Sequence, residues 1–157
     1  MATRRLAASH RQWITQSVLE SGWAPIAVFC LHVAMSRVFD AYRLFPGIDI
    51  PMHFLGGMVI AFFFHRASIN GSQLKVLGAF HPLTHGLLVF FATCAATVFW
   101  EFAEFINDRY FAGHSQAGLV DTLRDMLMGI LGGTTLIIGM IPRVARIAAK
   151  KTEIANG

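Results

Sequence analysis

Apolar residues gather into four long stretches separated by short polar connections. The first runs from about Gly22 to Phe39 and the second from about Asp49 to Arg66. The third, about His81 to Ile106, contains LLVFFATCAATVFW; the fourth, about Asp121 to Ile141, is uncharged from Met126 onward. A membrane-spanning helix needs about 20 mostly apolar residues, in the range of about 17–25. The third and fourth stretches meet this easily, while the first and second are short and need tilt or neighbours. A helix of a soluble bundle carries a polar face, and these segments have none outside their ends. The boundaries carry matching chemistry. Asp49 is placed to cap the second helix, with Pro51 in its first turn. His81-Pro82 opens the third, Asp121 is placed to cap the fourth, and Pro142 follows its end. Pro46-Gly47 and Asn70-Gly71-Ser72 mark the first two connections as turns. The pattern predicts an all-α, polytopic membrane protein with four transmembrane helices in one bundle over residues 22–142. An N-terminal segment (1–21) and a basic tail (143–157) flank it.

Composition strengthens this reading. Of 157 residues, 55% are hydrophobic and 14% charged, against about 25% charged in a soluble domain. The length allows one domain. Net charge is +4, but nucleic-acid binding needs Lys and Arg on one face among aromatics. Here they sit at the chain ends and in one short loop, so no nucleic-acid partner is expected and membrane lipids are. Arg4 and Arg5 resemble the start of a signal peptide, yet no apolar run follows directly and no A-x-A-like site ends one, so the first helix is expected to be retained. Cys30 and Cys94, each inside an apolar run, read as reduced packing residues.

Basic residues also set the orientation. With four spans, both termini and the middle loop share one side. That side holds Arg4, Arg5, Arg11, Arg66, Lys75, Arg143, Arg146, Lys150 and Lys151. The other holds Arg37, Arg43 and Arg109, with Arg124 just inside the fourth helix. Nine against three predicts an inner-membrane protein with both termini cytoplasmic. The basic tails would then lie against anionic lipid.

That topology sorts the acids. Of nine acidic residues, Asp49, Glu101, Glu104, Asp108, Asp121 and Asp125 fall at the outer ends of three helices, together with His53. The spacing is helical in each case: Asp49 and His53 are i, i+4; Glu101, Glu104 and Asp108 are i, i+3, i+7; Asp121 and Asp125 are i, i+4. Each set therefore shares one helix face. Gly56-Gly57 lies a turn below His53, and Gly129, a turn below Asp125, opens a GxxxG with Gly133; small residues let membrane helices approach closely. An Asp near the centre of a membrane helix costs roughly 2.5–3.5 kcal/mol on insertion scales. Clustered carboxylates also repel, and are kept by protonation, by arginine or by a cation. Carboxylates with one histidine suit a divalent cation, Mg²⁺, Mn²⁺ or Zn²⁺. Each residue has a plainer reading: Asp49 and Asp121 as caps, Asp108 as a solvated loop residue, His53 as an interfacial hydrogen-bonded group. Glu101 and Glu104, flanked by Trp100, Phe102 and Phe105, are hardest to explain that way.

The other histidines stand apart. His85 is 16 positions from Glu101, about 24 Å along a helix, so His81 and His85 cannot join the acids; with His65 they share the inner level. His32 sits mid-helix and is expected to pack with a neighbour, while His114 in the outer loop is within reach of the acids. Trp13, Trp23 and Trp100 read as interfacial anchors or core. No dinucleotide, phosphate-loop, serine-nucleophile or zinc-protease motif is present.

The order Asp49-x3-His53-Phe54, Glu101-x2-Glu104, Gln116-Ala117-Gly118, Asp121-Thr122-x2-Asp125-Met126 and Gly132-Gly133 resembles the VanZ-like and YjdF-like small integral membrane proteins. The resemblance covers about Asp49 to Gly133. Glu104 and Asp125 lie closer to the YjdF side, since the VanZ side carries a Gln after the first Glu and an Asn near Asp125. The resemblance implies a polytopic bundle. One branch is associated with resistance to a glycopeptide antibiotic that targets cell-envelope precursors, which implies a role near outer-leaflet lipids.

The expectation is thus a cation site just inside the outer leaflet, built from Asp49, His53, Glu101, Glu104 and Asp125, with Asp108 and Asp121 at its rim. Arg109 and Arg124 would hold a lipid phosphate, and metal-assisted chemistry on a head group is the natural enzymatic class. The rivals are a proton or metal-ion relay, and a non-catalytic assembly subunit working as a homo-oligomer or with a membrane partner.

Overall fold

A computed structural model describes residues 2–111, 113 and 115–156, with side chains described for 7–111, 113 and 115–140. All regular structure among them is helical. α1 is Ala2–Ser21, α2 Trp23–Arg37, α3 Ala41–Leu44, α4 Asp49–Gln73, α5 Pro82–Tyr110 and α6 Leu119–Asn156, with a 3-10 turn at Pro46–Ile48 before α4. α4 is the hub and packs against α1, α2, α5 and α6.

Three helical stretches are individually long and apolar enough to cross a membrane: Pro46–Gln73, Pro82–Tyr110 and Leu119–Met140. Exposure supports the same conclusion. The buried apolar core is small, centred on Ala61, Val89 and Ile137 with Phe64, Phe90 and Leu136 against it. Large side chains such as Phe91, Phe99 and Phe102 of α5 and Ile138 of α6 point outward. So wide an apolar exterior is stable against lipid, not water. The chain is a helical, polytopic membrane protein.

Several boundaries depart from the sequence pattern. α2 has 15 residues and rises about 22 Å, well short of a hydrocarbon core about 30 Å thick. The stretch from Gly22 to Phe39 does not span alone. A fourth span exists only as Ala7–Ser21 joined to Trp23–Arg37 across a 53° bend. The 1–21 segment is thus largely helical and packed against α4. Trp13 Nε1 donates to the Ala67 carbonyl at 2.7 Å, and Glu20 meets Arg66 at 2.5 Å and accepts from Asn70 at 3.2 Å. Pro142 does not end the last helix, which continues to Asn156; membrane helices absorb the one backbone donor that proline lacks. Asp49 is the first residue of α4 and makes no cap bond; its carboxylate turns to His53 instead. His81, extended at ψ 144° before Pro82, does cap α5, accepting from the Leu83 amide. Cys30 is exposed and Cys94 half-buried, both free.

Glycines set the crossing of α4 and α6. A Cβ on Gly57 would overlap the carbonyl oxygen of Gly129, and one on Gly132 would overlap that of Phe54. Gly133 meets Thr93 of α5, where a Cβ would come to 2.6 Å from Cγ2. Gly56 does not share this role: a Cβ there would meet nothing within 4 Å.

Candidate functional site

The α4–α6 crossing fixes what lies one turn above it. His53 and Asp49 stand on α4, Glu101 and Glu104 on α5, and Asp125 on α6, and the structure brings all five together. His53 Nε2 is 3.3 Å from Asp49 Oδ1, and His53 Nδ1 is 3.8 Å from Glu101 Oε1. Ligand atoms of Asp49, His53 and Asp125 lie within 4.8 Å of one another, as do those of His53, Glu101 and Glu104. Glu101, Glu104 and Asp125 are 5%, 8% and 2% exposed, so they do not share their charge with water.

The hydrogen bonds account for only part of this acidity. Glu104 Oε1 accepts from Trp100 Nε1 at 2.8 Å, and Glu101 Oε2 accepts from Gln116 Nε2 at 3.2 Å. Glu101 Oε1 and Asp125 Oδ1 are buried without a hydrogen-bond partner. The nearest cation to Asp125 is Arg124, with Nε 3.5 Å from Oδ1, but Arg124 Nη2 is already bound to Asp121. One imidazole and a guanidinium shared with Asp121 therefore face the four carboxylates of the cluster. A buried anionic oxygen without a partner is costly, so these two oxygens beside one histidine are kept by protonation or by a cation that they could ligate.

Asp108 and Asp121 are near the cluster but engaged elsewhere. Asp108 accepts from the Ser115 amide with both oxygens and from the Gln116 amide, each at 2.8 Å. It pins the α5–α6 connection so that Gln116 reaches Glu101. Asp121 accepts from the Ala117 amide at 3.0 Å, while Gly118, at φ +131°, supplies the turn into α6 that only glycine adopts easily. Arg109 sits over the Tyr110 ring at 5.7 Å and forms no ion pair with the cluster among the described residues. His114 lies outside the described residues.

Removing the Asp108 anchor is expected to free the connection selectively. Hydrogen bonds to a charged acceptor contribute about 1.5–3 kcal/mol each. In Asp108→Ala, amide exchange at Ser115 and Gln116 should accelerate strongly while the Glu101 amide stays protected. Unchanged exchange at both loop amides would show that another contact holds the connection.

The sequence pattern alone did not place Gln116, Tyr42 and His32 at the site. His32 Nδ1 pairs with the Tyr42 hydroxyl at 2.7 Å and its ring meets Trp100 edge-on at 5.4 Å, behind Glu104. Burial, then the carboxylates of Asp49 and Glu104, push the Tyr42 phenol above its ordinary value. Tyr42 therefore keeps its proton and pairs with His32 as a neutral phenol. Gln116 appears in the Gln-Ala-Gly pattern ahead of α6; no pattern marked Tyr42.

The inner histidines also meet. His65 Nδ1 is 2.9 Å from His85 Nε2. Ser68 gives its only proton to the Phe64 carbonyl at 2.8 Å, so at 3.3 Å it accepts from His85 Nδ1. His85 Nε2 is then the acceptor for His65. His81 is not part of this pair.

Residues 4–145 match the family described as predicted membrane protein DUF2238. The chain belongs to this family. DUF2238 membership agrees with the apolar exterior and the helical bundle. A relative from Thermotoga maritima, described as an uncharacterized protein, is 31% identical over 109 residues, covering 68% of this chain and 54% of its own length. The chain thus spans about half the length of that relative. No solved structure matches.

Proposed function

We propose that this DUF2238 protein binds a divalent cation at the outer-leaflet level of the inner membrane, with both termini cytoplasmic, and uses it to hold or act on a phosphate-bearing lipid head group. The observation that carries the reading is the pair of unpartnered, buried carboxylate oxygens, Glu101 Oε1 and Asp125 Oδ1, beside His53. A neutral imidazole has one lone pair. With Nε2–H directed to Asp49 at 3.3 Å, Nδ1 faces Glu101 and would be the ligand atom. Asp49 then orients His53 in the manner of a carboxylate behind a metal-bound histidine. His53 with Glu101 and Glu104, and His53 with Asp49 and Asp125, are two mixed oxygen–nitrogen groups, of a kind that suits Mn²⁺ or Zn²⁺ better than Mg²⁺, which prefers oxygen alone. Arg124, with its side chain 40% exposed, supplies the guanidinium for a phosphate oxygen. The VanZ-like and YjdF-like resemblance supports a lipid target on the outer side.

A relay across the membrane finds less support. His53 and His65 are separated by about 18 Å along α4. Between these levels stand Ala61, Val89 and Ile137, and Thr93, whose hydroxyl is bound to the Val89 carbonyl.

Titration with Mn²⁺ or Zn²⁺ tests the reading. At a hundredfold excess over Kd, ligand binding stabilises a protein by about 2.7 kcal/mol, so Tm of the purified protein should rise clearly. Glu101→Gln should remove most of that rise. A Tm indifferent to every divalent ion would contradict it.

A further inference from the structure

Directly below His53 lies a cavity of about 130 Å³. Its floor is α4 at Gly56, Val59 and Ile60; its sides are Val28 and Phe29 of α2 and Ala96 of α5. His32, His53 and Trp100 form its upper end, and His53 and Trp100 also touch the acidic cluster. α2 and α5 both flank this gap, yet they touch through ring contacts, Phe29–Trp100 at 6.1 Å and His32–Trp100 at 5.4 Å, rather than through close backbone packing. The gap is lined mainly by half-buried apolar side chains, with Phe29 exposed at its edge, at the depth of membrane-spanning segments. Gly56 keeps it open, since a Cβ there would enter the space without meeting another atom within 4 Å and a longer side chain would occupy it. An apolar gap left empty forfeits its dispersion contacts, and the bilayer offers hydrocarbon chains to fill it.

We infer that this groove holds the segment nearest the head group of one hydrocarbon chain of a phosphate-headed membrane lipid, whose head group reaches the cation at His53. The inference rests on the cation reading above and adds the ligand class: an amphiphile recognised at both ends, its phosphate by the cation and Arg124, its chain by the groove. The two recognition elements share His53, so a molecule seated in the groove has its upper end at the acidic cluster without crossing a polar barrier. A water-soluble phosphate would leave the groove unused.

The test uses full-length protein in vesicles of a phosphate-free glycosyl diacylglycerol containing phosphatidic acid with a photoactivatable diazirine in its acyl chain. After irradiation, adducts are expected on Gly56, Val59, Ile60 and Ala96. Gly56→Leu, which fills the space, should lose these adducts. It should keep both the outward-facing adducts around Phe91 and the Mn²⁺-induced rise in Tm. Gly56→Ala, a smaller intrusion, guards against a folding effect and should retain part of the groove labelling. Labelling confined to outward-facing residues, with the Tm rise intact, would overturn the groove while leaving the cation site standing. Equal groove labelling by a diacylglycerol probe, which carries the same chains and no phosphate, would overturn the role of the phosphate. Loss of the Mn²⁺ response in the unmutated protein would overturn the cation reading and this inference with it.

Discussion

Replacing Gly57 by leucine is expected to dismantle the bundle. The α4 and α6 backbones approach so closely that even a Cβ on Gly57 would overlap the Gly129 carbonyl oxygen. Overpacking typically costs about 1–3 kcal/mol when side chains can adjust. Here the obstacle is backbone, so no rotamer relieves it and the helices must separate. A loss of about 3 kcal/mol or more is expected, a large share of the 5–15 kcal/mol that holds a typical protein folded. Gly56→Leu, one residue away, enters open space and replaces a poor helix former. Thermal unfolding in detergent should therefore separate the neighbours: a sharply lowered Tm for Gly57→Leu and an unchanged or raised one for Gly56→Leu. Equal effects would mean that the helices do not cross at Gly57.

The second large effect is expected at His53. It belongs to both groups of candidate ligands, so His53→Ala removes the only nitrogen from the set and leaves carboxylates facing one another. Loss of an orienting partner alone typically costs 10–100-fold in metal affinity. Asp49→Asn should fall in that range. Loss of the ligand itself should exceed it, on the order of 100-fold or more. Isothermal titration with Mn²⁺ ranks the two variants. If Asp49→Asn weakens binding more than His53→Ala, Asp49 is the ligand and the imidazole assignment is reversed.

The sequence reveals much of this architecture, for identifiable reasons. Helical spacing puts Asp49 and His53, Glu101 and Glu104, and Asp125 on definite faces. Membrane topology brings those faces to one level, and the Gly57–Gly129 approach turns level into contact. The pairing of His65 with His85 follows from the same register. Hydropathy alone could not reveal α1 as a packed helix. Its Gln16 and Glu20 look like solvent-facing residues, yet they bond to each other, and Glu20 also meets Arg66 and Asn70. Likewise Asp108 and Asp121 share helix faces with the cluster, but Asp108 spends both oxygens on the α5–α6 connection and Asp121 divides its oxygens between Ala117 of that connection and Arg124. Backbone amides of that connection reach them, and helical spacing is blind to loop closure. Tyr42 arrives through the short α3 turn, where Asp40 adopts a left-handed conformation, a path that no periodicity encodes. Gly56 and Gly57 read identically as letters; only the helix crossing separates the glycine that packs from the glycine that leaves space.

The central claim is that buried carboxylates and one histidine hold a cation, and elemental analysis of the purified protein tests it most directly. Protein isolated without chelator, or loaded with Mn²⁺ or Zn²⁺ and then desalted, should retain stoichiometric metal, and Glu101→Ala and Asp125→Ala should lose it while remaining folded. A protein that retains no metal under any loading condition, or retains it equally in both variants, would contradict the claim.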